Sequence, residues 1–245
     1  MFSVFNNLTE DDKALAITKM IEQSRPSKDF FLMIALSVLM AAFGLIMNNI
    51  PVLIGSMLVA PLLSPVLSLA LGFTISDTTL VQRSLITIGK SIIVAVIAAA
   101  TATLLFGNGT DMSSSYMEPS LLHIAVAIVA GLAASFAIVK KELNEMLPGV
   151  AIAVALIPPI AMTGVGLAKG SWIVMTNGFI IFLLNVIGIV FAAMVTFSLM
   201  NFYVRRGVAM RAIEKEKKEM AEEEERKAAE TIVIKGGEST PPTEK

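Results

Sequence analysis

Long apolar segments are the feature of this sequence that most constrains its fold. A bilayer core of about 30 Å requires roughly 17–25 apolar residues per helical span. Lipid offers no partner to open backbone groups, so each spanning segment must be helical. The sequence therefore predicts an all-α integral membrane protein with about six transmembrane helices. The six segments are Phe30–Met47, Ile50–Phe73, Ser84–Phe106, Leu121–Val139, Pro148–Ala168 and Met175–Tyr203.

Charged residues are concentrated at the two ends of the chain and are sparse between them. They make up only 16% of the sequence, against about 25% in a soluble domain. This distribution divides the chain into four parts. They are a cytoplasmic amphipathic segment (1–29), the membrane domain (30–203), a charged cytoplasmic helix (204–232) and a disordered tail (233–245).

The lysines and arginines between the apolar segments predict the orientation of the chain. Arg83, Lys140 and Arg205 lie in loops on the same side as the N-terminal segment, whereas the opposite loops carry Lys169 alone. Positive residues stay in the cytoplasm. We therefore expect a multi-pass protein of the cell membrane with both termini cytoplasmic.

Several classes of function are disfavoured by composition. The net charge of -1 gives no reason to expect nucleic acid, and the absence of cysteine excludes thiol chemistry. One histidine is too few for a histidine metal cluster within one chain, and no cofactor is expected. No carboxylate lies inside a predicted span, and Ser56, Ser64 and Ser68 have no nearby base. We therefore expect no enzyme, and no proton relay built on buried carboxylates.

An internal repeat emerges when the chain is shifted by 97 residues. Pro51 then falls on Pro148, and Pro61 falls on Pro158. Each copy would hold three spans, so the second copy would be inverted relative to the first, as in many transporters. Coincidence is the alternative, because membrane segments are rich in small residues and proline. The same shift aligns small residues spaced by four, with Ser91, Ala95 and Ala99 on Gly188, Ala192 and Thr196.

Prolines interrupt the second and fifth segments near the middle of the membrane. A proline inside a helix removes a backbone donor and clashes with the carbonyl of residue i−4. The sequence therefore predicts that both helices are broken and expose polar backbone groups, which hydroxyl side chains or water would satisfy. A kink packed against a neighbour, without ligand, is the alternative. The residues concerned are Pro61 and Pro65, Pro158 and Pro159, and the adjacent Ser56, Ser64, Ser68, Thr163 and Gly164.

Two further polar residues complete the predicted solute pathway. Lys90 lies within the third segment, where its side chain either extends to the membrane surface or balances the charge of an anionic solute. Asn185 lies deep in the sixth segment. It either forms an interhelical hydrogen bond or contacts a ligand.

Two motifs resemble those of a known family. The stretch Ile54-Gly-Ser-Met-Leu-Val-Ala-Pro-Leu-Leu-Ser-Pro and the stretch Ile157-Pro-Pro-Ile-Ala-Met-Thr-Gly-Val-Gly are similar to the two hallmarks of a prokaryotic family of uncharacterised hydrophobic membrane proteins, the domain of unknown function three-eight-nine. The resemblance covers about Phe30 to Met200. It implies a multi-pass membrane core and no established activity.

Two hypotheses of function follow. The first is a transporter or channel for a small solute or ion, built from two inverted three-helix repeats and forming a homo-oligomer in the lipid bilayer. The solute would be an anion, a small neutral molecule or a sodium-coupled one. The second is a membrane scaffold or regulator that acts through the charged C-terminal helix.

Overall fold

The computed structural model describes residues 15–18, 20–21, 26–107, 118–139, 146–200, 218 and 222, without the side chains of 146–151 and 154. Every secondary-structure element in these residues is helical. The charged segment and the tail predicted for 204–245 lie outside them, apart from Lys218 and Glu222, which are helical. The seven helices are α1 (Lys28–Ile46), α2 (Ile50–Val59), α3 (Leu63–Thr74), α4 (Thr78–Phe106), α5 (Leu121–Val139), α6 (Met146–Ala168) and α7 (Trp172–Leu199).

These helices match the six predicted apolar segments, with α2 and α3 together forming the second. Among the described residues, four helices are long and apolar enough to cross a membrane, or five if α2 and α3 form one bent span. The four are α1, α4, α5 and α7. α6 contributes a shorter apolar stretch, Ala155–Ala168. The protein is therefore a bundle of apolar helices suited to a membrane.

The second predicted span is interrupted, as the sequence indicates. Residues 60–62 are not helical, and the axes of α2 and α3 differ by 55°. Pro61 lies in the middle of this break, where it has no helical donor to lose. Pro65 is the third residue of α3. A backbone N–H has no intrahelical partner in that first turn, so proline is tolerated there.

The prediction that the fifth span is broken is wrong. α6 runs without interruption through Pro158 and Pro159. The physical reason lies in a neighbouring helix. Pro159 cannot donate to the carbonyl of Ala155, and the side-chain amide of Asn185 donates to that oxygen instead, at 2.6 Å. A proline in a membrane helix is tolerated when a neighbour satisfies the freed group.

Three of the turns between helices share one backbone design. A glycine carbonyl near the end of a helix accepts a hydrogen bond from the residue five positions later, which precedes the next helix. The residue in between takes a positive φ of 49–65°, the left-handed cap that closes a Schellman motif. The three triplets are Gly44, Asn48 and Asn49; Gly72, Ser76 and Asp77; and Gly166, Gly170 and Ser171.

Small residues let the helices approach closely. A Cβ placed on Gly131 of α5 would lie 2.8 Å from the Ile189 carbonyl oxygen of α7, and one on Gly188 would lie 3.0 Å from the Cβ of Ala127. The stripes of small residues on α5 and α7 therefore form the contact between these two helices. Close packing of this kind replaces the hydrophobic effect as the driving force between helices in lipid.

The described part of the N-terminal segment, residues 15–18 and 20–21, packs against the helices through its buried apolar residues. The sequence predicts a cytoplasmic amphipathic segment here, and its apolar residues Ile17, Met20 and Ile21 are at most 1% exposed. Ser68 Oγ of α3 donates a 2.8 Å hydrogen bond to the Met20 carbonyl oxygen. All nine residues from Ser64 to Gly72 are buried. The N-terminal segment therefore helps to enclose α3.

Candidate functional site

A small void lies at the centre of the bundle, where α1, α3, α4, α6 and α7 meet. It comprises about 310 Å³ of space between atoms, part of it open to the outside, and scarcely one water-sized sphere fits inside it. The helices therefore pack closely around this point. The lining residues are Ile34, Val38, Leu62, Val66, Ile88, Ser91, Ile92, Ala95, Leu156, Ile157, Ile160 and Phe182.

The wall of the void is almost entirely apolar. Ser91 is the single polar residue among those that line it. Its hydroxyl donates a 2.8 Å hydrogen bond to the Thr87 carbonyl oxygen of its own helix. The Ser91 oxygen can therefore accept a hydrogen bond from a solute but cannot donate one. An ion would lose its hydration in such a place without replacement ligands, at a cost of many kcal/mol.

The serines predicted for the pathway form hydrogen bonds inside the protein. Ser56 Oγ donates to the Leu53 carbonyl at 2.6 Å, and the Ser56 carbonyl accepts from Ser37 Oγ at 2.7 Å. Ser64 is 6% exposed, and Ser68 is fully buried and bonded to the N-terminal segment. These hydroxyls stabilise the contacts around the α2–α3 break.

The predicted residues of α6 pack against α4 and α7. Pro158 and Pro159 are buried, and Thr163 Oγ1 donates to the Pro159 carbonyl oxygen at 2.9 Å. A Cβ on Gly164 would lie 2.6 Å from both the Cβ of Ala99 and the carbonyl oxygen of Val96. Gly164 therefore permits the close crossing of α6 over α4.

Asn185 joins α7 to α6. Its Nδ2 donates to the Ala155 carbonyl, so the interhelical hydrogen bond is present. Its Oδ1 is buried and has no hydrogen-bond partner. A carbonyl accepts but cannot donate, so the amide nitrogen must face Ala155 and the orientation of the side chain is fixed.

Lys90 lies on the exposed side of α4. It does not line the void, and Ser91, its neighbour in sequence, does. The lysine therefore supplies no charge to the centre of the bundle.

Comparison with known proteins places this architecture in a family. The family described as Domain of unknown function (DUF389) matches residues 57–191, which is more than half of the 245-residue chain. The chain belongs to this family. The match begins just before the α2–α3 break and ends within α7, so it covers most of the residues that line the void.

The DUF389 chain is also similar to the uncharacterized protein MJ0678 of Methanocaldococcus jannaschii. The two are 33% identical over 174 residues, which cover 70% of this chain and 54% of that protein. The chain thus spans about half the length of its curated relative. No solved structure matches.

The void of this DUF389 protein was not predicted from the sequence. None of the eleven predicted pathway residues lines it, because the prediction selected polar residues and prolines, whereas the void is apolar. In the part of the chain that the structure describes, no group of three or more His, Cys, Asp or Glu residues could hold a metal ion.

Proposed function

We propose that this chain is a membrane carrier for a small neutral solute, built from two inverted three-helix repeats that cross the cell membrane six times with both termini cytoplasmic. One observation carries the proposal. When the chain is shifted by 94 residues, all nine buried residues of α4 fall on buried residues of α7.

The turns between helices give the same shift of 94 without any reference to burial. It superimposes Gly72 on Gly166 and the positive-φ residue Ser76 on Gly170. The shift of 97, by contrast, moves Leu80 and Ala102 of α4 onto Asn177 and Leu199, which are not buried. The repeat is therefore in better register at 94 from α3 onwards.

The difference between the two shifts has a structural counterpart. A shift of 97 residues aligns Pro51 with Pro148 and Pro61 with Pro158. From Pro65 onwards, a shift of 94 residues applies, which aligns Pro65 with Pro159. The first repeat would thus hold three additional residues between Pro61 and Pro65, beside the non-helical residues 60–62. This accounts for a break in the second span and a continuous helix in the fifth.

The contact of Gly164 with Ala99 supports the inversion. Gly164 lies close to the turn between α6 and α7, at residues 169–171. Ala99 lies 21 residues into α4 from Thr78, which is about 32 Å of helix from the turn between α3 and α4. Since these two residues touch, the two helical hairpins point in opposite directions.

The void lies where the two proposed repeats meet. Two pairs of its lining residues are related by the shift of 94: Val66 and Ile160, and Ile88 and Phe182. Transporters with inverted repeats bind solute at the repeat interface and open it by rocking one repeat against the other. The small void then corresponds to a closed state.

The chemistry of the wall favours a neutral solute over an ion. The lining residues carry no charge, and the Ser91 hydroxyl is committed to Thr87. No basic group is present to bind an anion, so the structure gives no support to the anionic solute considered from the sequence. A small neutral molecule with an apolar body and a hydrogen-bond donor suits an apolar wall with one acceptor.

Flux into proteoliposomes tests the proposal. The full-length protein would be assayed by stopped-flow light scattering with small alcohols, amides and polyols, and by tracer uptake with chloride and sodium. We expect selective flux of one or more neutral solutes and none of the ions. Absence of flux for every solute, from protein shown to be folded, would contradict the carrier.

A matched pair of variants connects any flux with the void. Ala95→Phe fills the void from α4, whereas Ile93→Phe enlarges a side chain that is 60% exposed on the same helix. The phenyl ring would occupy the space that the solute needs, so we expect Ala95→Phe to remove most of the flux from protein that is shown to be folded. Ile93→Phe should leave the flux unchanged. Equal flux rates for the two variants would show that the solute does not pass through the void.

A further inference from the structure

The exposed face of α4 carries a cation, Lys90. Lys90 makes no hydrogen bond or ion pair within the described part of the chain, and its side chain is exposed. Along the same helix, Ile86, Ile93 and Ile97 are 49%, 60% and 60% exposed. An apolar surface of this kind faces lipid, and an unpaired lysine there is costly.

The position and direction of Lys90 bring its charge close to one membrane surface. α4 begins at Thr78, capped by Asp77 Oδ1, and Lys90 lies twelve residues further on, or about 18 Å along the axis. Side chains on a helix tilt towards its N-terminus. From Lys90 a lysine side chain can therefore reach back in the direction of Gln82 and Arg83, the polar residues that precede the apolar part of α4.

An open space lies beside the lysine. A Cβ placed on Gly89 would meet no heavy atom within 4 Å. Gly89 therefore makes no close contact with another helix, unlike Gly164, which packs tightly on α4. Glycine leaves a shallow depression on the lipid-facing surface, next to the cation and between exposed isoleucines.

A second copy of the chain suits this surface poorly. The carboxylates among the described residues are Asp29, Asp77, Glu118 and Glu222, and none lies within the apolar part of a helix. A partner copy would thus bring no described acid to the depth of Lys90. A two-fold interface through this face would bring the two Lys90 side chains towards each other, which is unfavourable in lipid.

We propose that Lys90 binds the head-group phosphate of an anionic phospholipid in the leaflet on the Asp77 side. An acyl chain of that lipid lies along Ile86, Ile93 and Ile97 and enters the depression at Gly89. The phosphate supplies the negative charge that the described protein residues do not, and the isoleucines supply the apolar contact. The inference does not depend on transport, so it stands or falls separately from the carrier.

Lipid retention measured by native mass spectrometry tests the proposal. Full-length protein in mixed micelles would be titrated with phosphatidylglycerol and, separately, with phosphatidylcholine. One surface lysine favours an anionic head group by about fivefold in affinity. We expect Lys90→Gln to lower the phosphatidylglycerol preference about fivefold, and Lys90→Arg to retain it, because arginine keeps the charge.

Lys28→Gln is the matched control, because it removes the same charge from an exposed residue at the first position of α1. Its effect should be smaller, since water screens that position. A measurement on the unmodified protein needs no variant: the preference should fall as salt is raised.

Three results with the Lys90 variants would overturn the proposal. They are an unchanged preference in Lys90→Gln, an equal loss of both lipids, and a change from oligomer to monomer on substitution of Lys90. The last result would assign the face to contact between copies. Inorganic phosphate that competes fully with phosphatidylglycerol would also overturn it, because the acyl chain would then contribute nothing.

Discussion

Asn185 Nδ2 donates a 2.6 Å hydrogen bond to the carbonyl oxygen of Ala155, the group that Pro159 leaves without a helical donor. Thirty positions separate the two residues in sequence, and the bond joins α7 to α6. It satisfies the carbonyl that Pro159 frees, within a helix that stays continuous through the proline pair.

This relationship predicts a specific double-mutant result. Asn185→Leu should lower the free energy of unfolding by about 1–2 kcal/mol, because the Ala155 carbonyl is then buried without a partner. Pro159→Ala restores a backbone N–H that can donate to that carbonyl. It should therefore destabilise the Asn185→Leu variant less than it destabilises the unmodified protein, or should stabilise it. Unfolding in mixed micelles would measure the cycle. Additive effects of the two substitutions would contradict the explanation.

Close packing at Gly164 predicts a large effect from a single methyl group. Gly164→Ala places a Cβ 2.6 Å from Ala99 Cβ and from the Val96 carbonyl oxygen, which should cost about 1–3 kcal/mol. Gly89→Ala is the matched control, since its Cβ meets nothing within 4 Å. Alanine is the better helix former, so that variant should gain about 0.5–1 kcal/mol. Thermal unfolding of the two variants would compare them, and equal stabilities would rule out the close crossing.

The bounds of the helices could be predicted from the sequence to within a few residues, because apolar length is a local signal. Leu121–Val139 coincides with α5, and Ile50 begins α2 as expected. α4 begins six residues before the predicted Ser84, because Asp77 caps a polar first turn that the apolar criterion omits.

The state of the two proline segments could not be predicted in the same way. Pro61 and Pro158 look alike in sequence, yet one lies in a break and the other in a continuous helix. A distant amide, Asn185, contributes to the difference by donating to the carbonyl that Pro159 frees, and the proposed repeat adds three further residues at the break. Neither is visible in the local pattern, because backbone satisfaction in a membrane is decided by neighbouring helices.

The central void was missed for a related reason. Its wall joins apolar residues far apart in the chain, such as Leu62 and Leu156, and no single one of them is chemically distinctive. A usable signal was present in the sequence. The shift of 94 aligns Pro65 with Pro159 and Gly72 with Gly166, but the shift of 97, chosen from Pro61 and Pro158, concealed that register.

Docking of the N-terminal segment predicts a pattern of labelling. The chain contains no cysteine, so single cysteines can be introduced without background. Met20→Cys should resist a membrane-impermeant maleimide, because Met20 is 0% exposed, whereas Leu15→Cys, at a residue 52% exposed, should react readily. Adding Ser68→Ala should speed the labelling of Met20→Cys by removing the bond to the Met20 carbonyl. Equal reactivity at positions 15 and 20 would place the segment on the surface instead.

The shared turn design predicts opposite effects of exchanging residues at its positive-φ position. Ser76 has a φ of 55° and Gly170 a φ of 65°, a conformation that costs about 1–2 kcal/mol for a residue with a Cβ and nothing for glycine. Ser76→Gly should therefore raise the free energy of unfolding by up to about 1 kcal/mol, and Gly170→Ala should lower it by about the same amount. Ser76 is exposed and a Cβ on Gly170 meets no atom within 4 Å, so packing does not complicate either change. Unfolding curves in mixed micelles would measure both, and a destabilising Ser76→Gly would show that the left-handed cap at the α3–α4 turn is absent.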